Sequence, residues 1–163
     1  IVFPNKFSIK KILNLNPLGF FLSNGPGDPR ATFKNTKENL EVLKKIKVPI
    51  FGICLGHQIL SLLFGASTVK MHHGHRGANH PIKNLQTKNV EITVQNHGFV
   101  VTKKKIPESI EITHTSLFDN TVAGIKIKKK PFFSVQYHPE SSPGPQDSRY
   151  LFKKFENLLR KNA

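Results

Sequence analysis

Apolar residues along the chain change their spacing near residue 66. Before it, short continuous apolar runs alternate with stretches of helical period. Leu-Gly-Phe-Phe-Leu at 18–22 is stopped by Ser-Asn-Gly-Pro-Gly-Asp-Pro at 23–29, the pattern of a buried strand running into a loop of turn-forming residues. Over 36–46, Leu40, Leu43 and Ile46 recur at helical spacing behind Thr36, which predicts an amphipathic helix capped by that threonine. Residues 48–53 form a second buried run, and Leu55, Ile59, Leu60, Leu62 and Leu63 mark a second helix that Gly65 closes. Strand, helix, strand, helix is the order of a parallel sheet with crossover helices.

Beyond residue 66 the texture is β. Segments 67–71, 90–94, 98–102, 109–114, 121–127 and 132–137 place β-branched or aromatic residues between turn signals. The last element, 146–160, sets Tyr150, Leu151, Phe155, Leu158 and Leu159 on one helical face behind Pro143-Gly144-Pro145. The expected class is α/β, with a mostly parallel central sheet and flanking helices, in one domain spanning 1–163. Ile1 to Pro4 is a stub before a short helix near 8–14. Parallel α/β domains ordinarily open on a central strand and its helix, so the first strand and helix are read as missing. For the chain taken by itself, an unpaired strand position in the sheet, an exposed edge and poor solubility are then expected.

Composition narrows the classes of function. At 163 residues, the chain has the size of one domain. No apolar run is long enough to span a bilayer and no secretory signal opens the sequence, so a cytoplasmic protein is expected. The formal charge of +15 raises nucleic-acid binding. Against it, lysines outnumber arginines 21 to 4 and are scattered, without an aromatic-interleaved basic stripe. One cysteine cannot make an internal disulfide, so Cys54 is either core filler or a reagent.

The surroundings of Cys54 favour the reagent. Gly52-Ile53-Cys54-Leu55-Gly56 has the Gly-x-nucleophile-x-Gly form between an expected strand and an expected helix. The helix N-terminus behind it favours a thiolate. Gln136-Tyr137-His138-Pro139-Glu140 ends another strand, and in extended chain residues two apart point the same way. Glu140 is thereby placed to orient His138, and His138 to take and return a proton for Cys54. The loop 23–29 offers a backbone N–H that would join that of Leu55 in an oxyanion hole. It lacks both the Gly-Lys-Ser/Thr ending and the Gly-x-Gly-x-x-Gly opening of phosphate loops, so no nucleotide is expected by those routes. His72, His73, His75 and His80 invite a zinc site, but no ligand frame, cysteine or acid accompanies them, and no metal is expected; the segment 71–81 that holds them is read as a loop that shapes the site or meets a partner.

Taken together, these segments resemble the class I glutamine amidotransferases, a flavodoxin-like α/β family. Gly-Ile-Cys-Leu-Gly-His-Gln at 52–58 is common to several branches. The segments 23–29, 74–81 (Gly-His-Arg-Gly-Ala-Asn-His-Pro), 95–99 (Gln-Asn-His-Gly-Phe), 113–119 and 134–145 are similar to the glutaminase domain of carbamoyl phosphate synthetase small subunits. The resemblance implies that Cys54 attacks the glutamine side-chain amide, His138 serves as acid and base, and Glu140 orients it. It also implies that the N–H groups of Gly25 and Leu55 hold the oxyanion, while Gly27, Gln58, Asn96, Gly98 and Phe99 line the glutamine pocket. No cofactor is then expected on this chain. ATP, magnesium and bicarbonate would be used by a large-subunit partner that receives ammonia for carbamoyl phosphate, on the way to pyrimidines and arginine. A glutaminase of another synthase, such as anthranilate synthase, and a regulatory module that keeps the fold without the chemistry are the competing expectations.

Overall fold

A computed structural model describes residues 1–4 and 8–162. Its elements are α1 (Ile9–Leu13), β1 (Phe20–Leu22), α2 (Pro29–Lys45), β2 (Ile50–Ile53), α3 (Leu55–Leu63), β3 (Thr68–Asn84), β4 (Val90–Val101), β5 (Ile110–Ser116), β6 (Val122–Ile127), β7 (Phe132–Val135) and α4 (Tyr150–Arg160). The seven strands form one sheet in the order β1-β2-β7-β6-β5-β3-β4.

The α/β class is as expected; the direction of pairing is not. β1 with β2 and β2 with β7 run parallel, whereas β7–β6, β6–β5, β5–β3 and β3–β4 are antiparallel. The cause lies in the connections. α2 provides the long crossover that parallel neighbours need, while β3–β4, β5–β6 and β6–β7 are joined by short turns that fold the chain back on itself. β2 and β7, central and parallel, are buried at every position.

Alternation along these two strands divides the core. Ile50 and Phe132 face α1, α2 and α3, where Leu40, Leu43, Ile59, Leu60 and Leu63 pack. Phe51 and Phe133, their rings stacked at 4.5 Å, face α4 with Phe152, Phe155 and Leu158. β1 stands at one sheet edge, where Phe21 remains 45% exposed beside Phe51.

Three expectations on the elements are corrected. α2 begins seven residues before position 36: Asp28 caps it by accepting from the Arg30 N–H at 2.8 Å, Pro29 takes the first turn, and Thr36 sits mid-helix bonded to the Thr32 carbonyl. The strands expected at 90–94 and 98–102 are one strand, β4. The segment 74–81, read as a loop, belongs to β3 and pairs with β4 in a ribbon broken by bulges between Lys70 and His75 and between Gly77 and His80. Those bulges bend the ribbon over the C-terminal ends of β1, β2 and β7.

Candidate active site

Cys54 occupies the turn from β2 into α3, with φ 52° and ψ −102°, a strained conformation for a residue with a side chain. Its N–H continues the β2–β7 ladder by bonding the Val135 carbonyl at 2.9 Å. The flanking glycines let the turn close. A Cβ on Gly52 would lie 2.8 Å from the Gly56 carbonyl carbon, and one on Gly56 would run into the Leu22 carbonyl. Local sequence and sheet packing together therefore hold the sulfur above the sheet at the head of α3.

The chain leaves β7 as Gln136, Tyr137 and His138, and this exit carries His138 to the same point. Its N–H bonds the Val94 carbonyl at 2.9 Å. His138 Nδ1 donates to Glu140 Oε1 at 2.7 Å, which leaves Nε2, itself buried and without another hydrogen-bond partner among the described residues, for the sulfur. The Cys54 sulfur is the largest influence on the imidazole, followed by the Glu140 bond. Against the opposing effect of burial, they raise the His138 pKa to about 10. Burial is the largest single influence on the Glu140 carboxyl and works against its ionised form, but the hydrogen bond from His138, a backbone hydrogen bond at Glu140 and the charge of His138 together outweigh it and hold the carboxyl below its ordinary range.

A cleft of about 750 Å³ opens over Cys54. Its walls include every residue expected to meet a ligand: Gly25, Gly27, Leu55, Gln58, Asn96, Gly98 and Phe99. The first two come from the loop after β1, Leu55 and Gln58 from the first turns of α3, and the last three from β4. The Leu55 N–H faces Asn24 Oδ1 at 3.5 Å, a long contact that a ligand oxygen would displace. The Gln58 amide donates to the Phe99 carbonyl at 2.8 Å and to Gln136 Oε1 at 3.0 Å, so what it can offer a ligand is its Oε1.

Sequence reasoning passed over several residues that the fold brings here. Lys70, Arg76 and His97 line the cleft, and Arg76 is anchored to the His73 carbonyl at 2.6 Å. Gln136 is buried against Cys54, its Nε2 at 3.7 Å from the sulfur. None has a signature at fixed spacing from Cys54. His97 reaches the Phe99 carbonyl and Gln95 Oε1 at 2.9 and 2.7 Å; burial, then His75, pushes its pKa down to about 4. The four clustered histidines fall into two pairs, the rings of His75 and His80 lying 5.2 Å apart, and the fold brings them an acid that the sequence did not place nearby. His72 and His73 pair with each other on the surface, His75 bonds Asp119 at 3.0 Å, and His80 packs on Phe118. Among the described residues, no three His, Cys, Asp or Glu side chains gather as a metal ion requires.

The family model of the class-I glutamine amidotransferases matches residues 1–158. The carbamoyl phosphate synthase small chain of Agrobacterium fabrum is 59% identical over 161 residues, 99% of this chain and 40% of that protein. That of Zymomonas mobilis is 56% identical over 154 residues, 94% of this chain and 41% of that protein. The chain thus spans about two-fifths of the length of the curated relatives it matches. In fold it is similar to a GMP synthase subunit protein from Thermoplasma acidophilum, with a TM-score of 0.84 at 23% identity, covering 99% of this chain and 81% of that one. By the match of its family model over nearly the whole length, the chain belongs to the class-I glutamine amidotransferase family.

Proposed function

We propose that the chain is a glutaminase domain, and that the ammonia it releases supplies a carbamoyl phosphate synthase. The observation that carries the reading is the meeting of three groups at one end of the sheet: the buried Cys54 on its strained turn, His138, and Glu140 at 2.7 Å from the imidazole. A sulfur at a helix head beside a protonated imidazole is a nucleophile without a separate activation step.

In this reading, the Cys54 thiolate attacks the side-chain amide carbon of glutamine. The carbonyl oxygen becomes an oxyanion held by the N–H groups of Gly25 and Leu55. His138, protonated at Nε2, gives that proton to the amide nitrogen as the C–N bond breaks and ammonia leaves. Water then adds to the thioester, His138 accepting its proton, and glutamate departs as the sulfur is regenerated. Gly27, Gln58, Asn96, Gly98 and Phe99 position the substrate. Glu140 stays ionised and orients the imidazole.

Identity of 59% and 56% to small chains of carbamoyl phosphate synthase supports this pathway over that of other synthases. A large-chain partner would use the ammonia with bicarbonate, ATP and magnesium, for pyrimidine and arginine synthesis in the cytoplasm. No helix among the described residues is long and apolar enough to cross a membrane.

The test is glutamate release from glutamine, by the chain with a large chain from a related synthase. Cys54→Ser should abolish glutamine-dependent carbamoyl phosphate formation and leave formation from added ammonia unchanged. Undiminished glutamine hydrolysis in Cys54→Ser would refute the reading.

A further inference from the structure

We propose that Gln136 is a third group acting on the nucleophile: its side-chain amide donates a hydrogen bond to the Cys54 sulfur, and Gln58 fixes that amide the right way round. The inference rests on Cys54 being the reacting thiol.

The direction of the bond follows from the chain of contacts, starting at a group that cannot be reversed. The Phe99 carbonyl oxygen accepts only, so the Gln58 atom 2.8 Å from it is the amide nitrogen. That same nitrogen lies 3.0 Å from Gln136, which must therefore present its oxygen. The opposite end of the Gln136 amide is its NH₂, and it lies 3.7 Å from Sγ. The sequence of donors runs from Gln58 to Phe99 and Gln136, then from Gln136 to Cys54. Gln136 and Gln58 are 1% and 3% exposed, so water does not compete for these bonds. The Gln136 backbone is pinned as well, its N–H bonding the Ala123 carbonyl at 2.9 Å.

A thiolate accepts hydrogen bonds far better than a thiol, so a fixed N–H at the sulfur favours the charged form and holds it in place. His138 supplies charge from one strand exit. Gln136, two residues earlier on that exit, supplies an uncharged donor that does not titrate. Because the relay begins at the Phe99 carbonyl on the cleft wall, the orientation of the sulfur's donor is tied to the segment that would bind substrate.

Cys54 is the single cysteine of the chain, so alkylation by iodoacetamide reports it alone. The experiment compares the pH profile of alkylation in the 163-residue chain with those of Gln136→Met and Gln136→Glu. Met keeps the length and removes the donor. Glu keeps the acceptor for Gln58 and sets a carboxylate oxygen at the sulfur. Loss of one charge-assisted bond should move the midpoint of the Met profile up by about one pH unit, a tenfold change in proton affinity, and that of Glu further. Gln58→Met, which frees the amide to turn, should give a smaller upward shift. A role confined to packing would lower the unfolding temperature and leave the midpoint where it is. Midpoints unmoved in both Gln136 variants would overturn the inference, and the Glu variant alone decides if the Met variant does not fold. Glutamate release by the unaltered chain, assayed alongside, tests the glutaminase reading separately, since the alkylation comparison does not depend on turnover.

Discussion

At the scale of single residues, the His138–Glu140 pair has a consequence for rate. Glu140 is bonded to Nδ1 at 2.7 Å and is half exposed, whereas the imidazole is largely buried. Its work is therefore to hold one tautomer and one ring orientation, with Nε2 directed to the sulfur. Glu140→Gln keeps the shape and loses the charge. It should lower kcat for glutamine hydrolysis by roughly a hundredfold, with KM nearly unchanged, because Glu140 does not line the cleft. Steady-state kinetics check this, and a KM effect larger than the kcat effect would count against an orienting role. The residues of this pair were legible in the sequence because His-Pro-Glu at a strand end has one plausible geometry. Gln136 was not, because a glutamine acquires a partner only when the fold brings 58, 99 and 54 around it.

At the scale of elements, the cleft is made by a β-ribbon that bends. Gly74 adopts φ +70°, and a Cβ placed on it would lie 2.5 Å from the His97 carbonyl. Gly74→Ala must therefore shift β3 against β4 at the segment whose residues 96–99 line the cleft. The expected cost is about 1–3 kcal/mol by urea unfolding, with KM for glutamine raised more than kcat is lowered. An unchanged KM in the folded variant would show that the bulge does not set the cleft wall. This ribbon is also where sequence pattern failed. Glycines at 74 and 77 and Pro81 are loop signals by local chemistry, and they interrupt the alternation that identifies a strand. The pairing of β3 with β4 supplies what local pattern lacks, carrying the strand through its own bulges. The elements of one period and clear ends, β2, α3 and α4, were legible to within a few residues. Sheet direction was not, because the two opening strand–helix units do have parallel order, and the antiparallel remainder depends on which turns are too short for a crossover.

At the scale of the whole molecule, the site and the core impose opposite demands on pH. Burial drives His57 to about 3, with His97 and His114 adding to it. Burial likewise drives His97 to about 4, and His114, with Lys154 near it, to about 4. Below about pH 6.5, the unfolded chain binds protons at these three positions that the native core refuses, so stability falls as pH drops toward 4. The slope reaches up to about 4 kcal/mol per pH unit if all three titrate together. His138 has the reverse sign. Its folded pKa of about 10 lies above the ordinary histidine value, so its contribution is fully present below about pH 6.5 and is lost as pH rises through 10. The two limbs meet near pH 6.5, well short of the pI of 10.1. Unfolding temperature measured from pH 4.5 to 10 should therefore peak near neutrality and decline on both sides. His138→Gln should flatten the alkaline limb and leave the acid limb in place. Cys54→Ser should flatten the alkaline limb too, although the imidazole remains, because the sulfur is the largest source of the raised pKa. His97→Gln should instead reduce the acid slope. An unfolding temperature that climbs steadily toward pH 10 would mean that relief of the +15 charge outweighs the histidines, and that the Cys54–His138 pair adds nothing to the fold.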